Sequence, residues 1–489
     1  MITVSVVQFY INRPLLGPKN DKGLIPRKKT YLTMIILNDA ESPKQKTFNI
    51  CPVYNKCSLL SYRKSEIMIN QEYGFLRVAG TTSGTIIYVA MILACFFVPT
   101  FVIKKLKPKF AMTFAMLCYS TYIASQYYPI MGLLAPSSII VGVAAGILWT
   151  SKCTYLNMVG NKYANLTGEK SEVVITRFFG IFFMFFQSTQ IWGNLISSLV
   201  LSSGLENRTE ISEDALGICG ANFCPSDLTA ANSTNDNLNR PSDEKIYTMV
   251  TIFLISGLLA PLIIAIFVDP LSKLNKSDVE SPGGKSGLNL LFATFQNWRH
   301  PYQLLIIPLT VFSGLEQGFL TADFNSAYIS CGLGIHMVGY ILICYGICDA
   351  VFSLCFSPLV NRIGRVPIFT AGALINLGII ITFLKWMPHP DDIVVFFVIA
   401  ALWGVADAVW QTQINAMYGI IFPKEAEAAY SNYRLWESVG FAIGFFGGGV
   451  FCITTKIITL IVFLIIGILG YYIIEVIEKL GGLKKDEEG

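Results

Sequence analysis

Charge and histidine are what this sequence has least of. Only 14% of its 489 residues are Asp, Glu, Lys or Arg, and three are His, where a soluble domain carries about 25% charged residues. The formal net charge of +4 is too small and too scattered to suit nucleic acid, so no such partner is expected. His300, His336 and His389 fall at loops or at the ends of apolar runs. No Cys/His spacing suits zinc, and no glycine-rich loop precedes a basic residue in a polar segment. No catalytic set, metal or cofactor is therefore expected, and the chain does not read as an enzyme. Most of the twelve cysteines (Cys95, Cys118, Cys331, Cys344, Cys348, Cys355 and Cys452) lie inside apolar runs, where a thiol acts as a small hydrophobe. They do not read as a disulfide framework.

What is abundant is apolar surface, with 53% of residues hydrophobic and 13% aromatic. Runs of about 18 to 25 mainly apolar residues mark membrane helices, because hydrocarbon tolerates only backbone that satisfies its own hydrogen bonds. They occur near 80–103, 110–128, 132–156, 175–203, 246–268, 302–322, 338–360, 366–386, 393–419, 435–453 and 456–478. The expectation is an all-α polytopic bundle of about eleven visible spans. Its parts are a basic non-spanning tail (1–79), a helical half (80–268) with an outer loop (204–245), a linker (269–301), a six-helix half (302–478) and a short tail (479–489).

If the spans alternate, KKLKPK at 104–109, the segment with Lys162, Lys170 and Arg177, the linker, NRIGR at 361–365 and the tail with Lys484 and Lys485 share one face. Positive charge places that face in the cytosol. The loop 204–243 is acidic and falls on the other side, with the sequons Asn207-Arg-Thr and Asn232-Ser-Thr, so Asn207 and Asn232 are expected to be glycosylated. Two further sequons, at Asn165 and Asn275, fall on the basic face and are read as chance matches. Cys219 and Cys224 share the outer loop. They are expected either to pair with each other in an oxidising compartment or to stay as free thiols.

SPLVNRIGRVP resembles the major facilitator signature G-x-L-x-D-x-x-G-R, with Asn361 in the acidic position and Gly364 and Arg365 retained. Gly permits a tight turn and Arg anchors helix ends. An ordinary positive-inside loop would look much the same.

Polar groups at bilayer depth are functional candidates by default. From a start near Tyr302, Glu316 lies ~21 Å along its helix and Asp323 ~31 Å, at the interface. Seven residues also place the two on one α-helical face. Asp349 and Asp407 are near mid-depth, whereas Lys152 and Glu437 lie close to span ends, within snorkelling reach. Lys152, Glu316, Asp349, Asp407 and Gln411 are the candidates for a cavity or for ion handling. With no basic partner at their depth, the carboxyls are expected in their protonated form. Gln187, Gln190 and Asn194 make one helical stripe, and Asp407, Gln411 and Asn415 another. Such stripes either line a wet path or join helices by hydrogen bonds of only ~0.6 kcal/mol each.

Five blocks in order, GILWTSKCTYLNMVGNKYANLTG, FFGIFFMFFQSTQIWGNLISS, LTVFSGLEQGFLTADFNSAYISCGLG, GVADAVWQTQINAMYGIIF and EAAYSNYRLWESVGF, strongly resemble the uncoordinated-93-like family, a branch of the major facilitator superfamily. The likeness runs from about Asn70 to the last span. It implies a twelve-helix bundle with a central cavity, Lys152 on the fourth helix, Glu316 on the seventh, and Asp407 with Gln411 on the tenth. It also implies an accessory role, since one member regulates a two-pore potassium channel and another escorts Toll-like receptors. The expected partner is thus a potassium channel subunit or a receptor, in the plasma membrane rather than endosomes. The alternative is a proton- or cation-coupled carrier, for which the residues name no substrate. The chain departs from the family at its start, where Arg27, Lys28 and Lys29 stand in a tail that replaces the first helix. A mis-spliced or mis-assigned first exon is the expected reason.

Overall fold

In the computed structural model, the structure describes residues 69–128, 130–201, 216–217, 219–224, 243–268, 270, 295, 297–422, 426–447 and 450–480, with two short strands. Those strands, β1 (Val7–Phe9) and β2 (Leu32–Met34), pair antiparallel, Val7 facing Met34. Everything else of length is helix: α1 (Ile69–Ser125), α2 (Met131–Thr167), α3 (Ser171–Leu201), α4 (Asp243–Phe267), α5 (Pro301–Phe319), α6 (Ile335–Ile363), α7 (Arg365–Lys385), α8 (Ile393–Val409), α9 (Ala426–Gly447) and α10 (Ile453–Lys479).

The protein is a multi-pass membrane protein. Among the described residues, nine helices are long and apolar enough to cross a bilayer. Thr82–Ser125, with 44 residues, is about twice the ~20 that one crossing needs. It turns back at Lys107 (φ 66), which precedes Pro108. Counting its two arms separately and adding α9 gives the eleven spans expected.

Two boundaries differ from expectation. Helix α1 begins at Ile69, eleven residues inside the segment read as a tail, because NQEYGF is a competent helix start although too polar to read as membrane. Helix α9 begins at Ala426 rather than 435. Hydropathy discounts the opening turns, which contain Glu427 and Arg434, yet Arg434 and Glu437 are buried at 3% and 4% exposure. The linker and the outer loop fall mostly outside the described residues, as do Asn207 and Asn232.

Among the described residues, two helices run on into wide-turn geometry. Helix α5 continues as an i→i+5 (π) run over Leu320–Ser330, then a last turn, Cys331–Leu333. Helix α8 continues through a shorter π run, Trp410–Ile414, into Asn415–Ile421.

The first four helices form one half and α5 to α10 the other, joined along two seams. At the first, α3 lies on α6 so closely that a Cβ at Gly180 would collide with the Ser353 carbonyl oxygen, and one at Gly346 would stand 2.8 Å from Gln190 Cβ. Close backbone approach of this kind is how membrane helices gain packing without a hydrophobic drive between them. At the second, α1 lies on α9. Tyr88 stacks on Phe441 at 4.5 Å and on Phe445 at 5.5 Å, and Ser431 Oγ donates to the Cys95 carbonyl at 2.6 Å. The largest aromatic core, around Phe319, Phe324, Phe383 and Trp403, belongs to the second half.

Candidate functional site

Three carboxyls meet where the halves touch. Glu316 near the end of α5, Asp349 in mid-α6 and Asp407 near the end of α8 are fully buried, and Asp407 lies within hydrogen-bonding reach of both others. Asp407 is the hub. Tyr345 Oη donates to its Oδ2 in a short bond, Gln187 Nε2 reaches the same oxygen at 3.2 Å, and Gln317 and Gln411 Nε2 reach Oδ1 at 3.3 and 3.4 Å. Gln187 also donates to Asp349 Oδ2, Ser353 Oγ donates to Asp349 Oδ1 at 3.1 Å, and Trp403 Nε1 donates to Glu316 Oε2. All of these donors are neutral. Three acids gathered among neutral donors, two of them bridged by Gln187, are groups able to take up and release protons.

A cationic centre lies one helical turn along α3, from Gln187 to Phe183. Lys152 Nζ sits over the rings of Phe182, Phe183, Trp149 and Phe179 at 4.2, 4.6, 4.7 and 5.5 Å. Arg434 Cζ lies 4.8 Å from the same Trp149 ring and 4.3 Å from Tyr433. Its Nη1 donates to Glu437 Oε2 at 2.5 Å and its Nη2 to Asn415 Oδ1 at 3.0 Å. Asn415 connects the two centres, since its Nδ2 donates to the Gln411 carbonyl at 2.6 Å and Gln411 bonds Asp407.

Local sequence explains the placement. In α5 the Leu320 amide is shared between the carbonyls of Glu316 and Gln317, and in α8 the Trp410 amide between Ala406 and Asp407. Each acidic residue thus marks the last α turn before its helix widens. Wide turns of this kind are rare and gather at functional sites.

The structure brings Glu316, Asp349, Asp407, Gln411 and Gln187 together. Gln190 and Asn194 stay on α3, where Asn194 Nδ2 bonds the Gln190 carbonyl at 2.8 Å. Lys152 and Glu437 do not snorkel. Both are buried, at 7% and 4% exposure, because ring faces and Arg434 hold them inside. Asp323 is not at an open interface either, nor on the face of Glu316. The wide turns after Phe319 break the α phase and direct it to Lys456 of α10, with Nζ to Oδ1 at 2.6 Å. Arg365, after Gly364 (φ 78), pairs with Glu475 of α10 and reaches Glu172 of α3 at 3.7 Å, while Asn361 is exposed.

Cys219 and Cys224 do not pair with each other. Cys219 bonds to Cys331 and Cys224 to Cys452, so two cysteines read as apolar filler are disulfide partners. A thiol at the very end of a span is at the water layer, and apolar neighbours conceal this in one dimension. Sequence reading also passed over Tyr345, Trp403, Gln317 and Arg434. Only Arg434 carried a signal, as a charge three residues before Glu437.

Known proteins resemble this chain in sequence and in fold. The family model "Ion channel regulatory protein UNC-93" matches residues 75–472. Protein unc-93 homolog A of Xenopus laevis is 40% identical over 401 residues, covering 82% of this chain and 86% of that one. The human homolog A is 37% identical, covering 84% and 89%. The Caenorhabditis elegans unc-93 protein, whose name refers to potassium channel regulation, is 35% identical, and the match covers 81% of this chain and 56% of that longer one. Among solved structures, the major facilitator proton:xylose symporter XylE is similar at TM-score 0.53 and 12% identity, covering 86% of this chain and 88% of that one. The transporter FucP in an outward conformation is similar at 0.51 and 14%, covering 87% and 96%. The fold is that of the major facilitator superfamily, and the chain belongs to the UNC-93 family.

Proposed function

We propose that this chain is a membrane-embedded accessory protein, not an enzyme, that regulates a potassium channel by direct contact, and that escort of a membrane receptor is the variant of the same role. The observation that carries the reading is the close packing of α3 on α6 along residues 173–190. Ser357 Oγ donates to the Val173 carbonyl, Gly180 abuts Ser353, Gln187 bonds Asp349, and Gly346 meets Gln190, while Arg365 at the start of α7 reaches Glu172. A body whose halves are joined by backbone-close contacts offers a partner a fixed lateral surface. Family membership points the same way. In this reading the end with Lys104 and Arg365 faces the cytosol, Asn207 and Asn232 carry sugars on the other side, and the protein works at the plasma membrane.

The test is affinity purification from intact membranes, with current recorded on co-expression. A potassium channel subunit in stoichiometric amount and a changed current support the proposal. Recovery of the chain alone, with unchanged current, ends it.

One observation favours a second reading. The trio of Glu316, Asp349 and Asp407 is the kind of proton-holding centre that a coupled carrier needs. Glu316→Gln and Asp407→Asn separate the two readings, since a carrier loses solute flux while an accessory protein keeps its surface level and its partner's current.

A further inference from the structure

The i→i+5 run Leu320–Ser330 is eleven residues long, where such geometry normally lasts a single turn. A backbone so far from its default must be held from outside. The restraints gather at the end of the bundle where Cys219 and Cys224 lie. Cys331, next in sequence after the run, is bonded to Cys219. Asp323 inside the run is paired with Lys456 in the first turn of α10, and Tyr328 Oη donates to the Phe383 carbonyl at 2.9 Å. The segment from Cys219 to Cys224 is seated on the same spot. A Cβ at Gly220 (φ 75) would stand 2.8 Å from Pro388 and 3.4 Å from the Tyr328 ring. The Ile453 amide donates to the Phe223 carbonyl at 3.0 Å, Thr454 Oγ1 to the Ala221 carbonyl at 2.7 Å, and Cys224 is bonded to Cys452, the residue capping α10.

We infer that the disulfides Cys219–Cys331 and Cys224–Cys452 form a redox-controlled clamp that holds the Leu320–Ser330 run in its wide-turn register. The segment between α3 and α4 starts and ends in the first half but is bonded to the second at two points. Both of those points lie at the ends of elements of the second half, Cys331 directly after the π run and Cys452 at the start of α10. An external dithiol opens each bridge by exchange: two electrons and two protons pass to the two protein sulfurs, and the dithiol leaves as its own disulfide. With Cys331 released, the run loses its covalent anchor and is left with the Asp323–Lys456 pair, the Tyr328–Phe383 hydrogen bond and the ring packing of Phe324 and Tyr328. It then relaxes toward i→i+4 bonding, which turns Asp323 and Tyr328 away from their partners. This inference concerns control of the fold by thiols and stands whether the chain regulates a partner or carries a solute.

The experiment is hydrogen exchange on the full chain in lipid nanodiscs, before and after dithiothreitol, with thiol labelling read by mass spectrometry on the same samples. Cutting both bridges is expected to speed exchange of the 320–330 amides by about tenfold, with Arg365–Lys385 unchanged. Lys456→Gln, which leaves the bridges intact, is expected to speed the same amides by a smaller factor. Because reduction follows folding, misfolding of cysteine variants does not enter the result. Unchanged exchange after labelling has verified four new thiols overturns the inference. So does untreated protein in which Cys219 is bonded to Cys224, or in which Cys331 and Cys452 are already free.

Discussion

The two buried centres handle charge in opposite ways. Around Asp407 every donor is a neutral hydroxyl or amide, from Tyr345, Gln187, Gln317 and Gln411. Around Arg434 and Lys152 the buried groups are basic and are met by different partners. Arg434 is matched by Glu437 and Asn415, whereas Lys152 relies on four ring faces. The difference indicates which centre is adjustable. An acid trio can change its proton count without moving a helix, but a guanidinium fixed to one carboxylate and one amide cannot change state without breaking contacts.

The comparison is broken most severely at Arg434. Arg434→Met strands Glu437 and Asn415 inside the bundle and is expected to lower stability by ~3–5 kcal/mol, read as lost monodisperse protein and a fallen unfolding midpoint in detergent. A midpoint equal to that of the parent would mean that the pair is not buried as described. Asp407→Asn comes next. It swaps one neutral hydrogen-bonding group for another of the same shape, so the expected loss is about 1 kcal/mol. Infrared spectra at neutral pH should show a protonated carboxyl band in the parent that shrinks in the variant. A parent spectrum with ionised carboxylates alone would remove the argued asymmetry between the centres. Smallest is Lys152→Met, where loss of the ring contacts is offset by removal of a buried cation, for a net change under ~1 kcal/mol. A loss as large as that of Arg434→Met would show that Lys152 is matched by something beyond its rings.

Much of the bundle was legible in the sequence because apolar length translates directly into spans. The same arithmetic also located Glu316, Asp349 and Asp407 at depth. Their convergence was not legible, because it depends on which helices touch, and nothing linear announces Tyr345 or Trp403 as donors. The stripe of Asp407, Gln411 and Asn415 kept its connections despite the π run Trp410–Ile414. The pairing of Glu316 with Asp323 on one face failed, because the longer π run alters the residue count per turn. The disulfides escaped for a related reason. Cys219 and Cys224 are near neighbours in sequence, and only three dimensions reveal Cys331 and Cys452 closer to hand.

Helix α9 sits outside the set of helices that are apolar enough to cross a membrane unaided, and this has a consequence for biogenesis. An arginine at the centre of a crossing segment opposes translocon insertion by ~2.5–3.5 kcal/mol, which the residues of α9 do little to offset. Entry into lipid must therefore await a waiting neighbour, and α5 is already in place, with room for Gly440 against the Val311 carbonyl and Gly314 against that of Glu437. Deletion of α5 should therefore leave α9 outside the bilayer, read as a segment open to added protease.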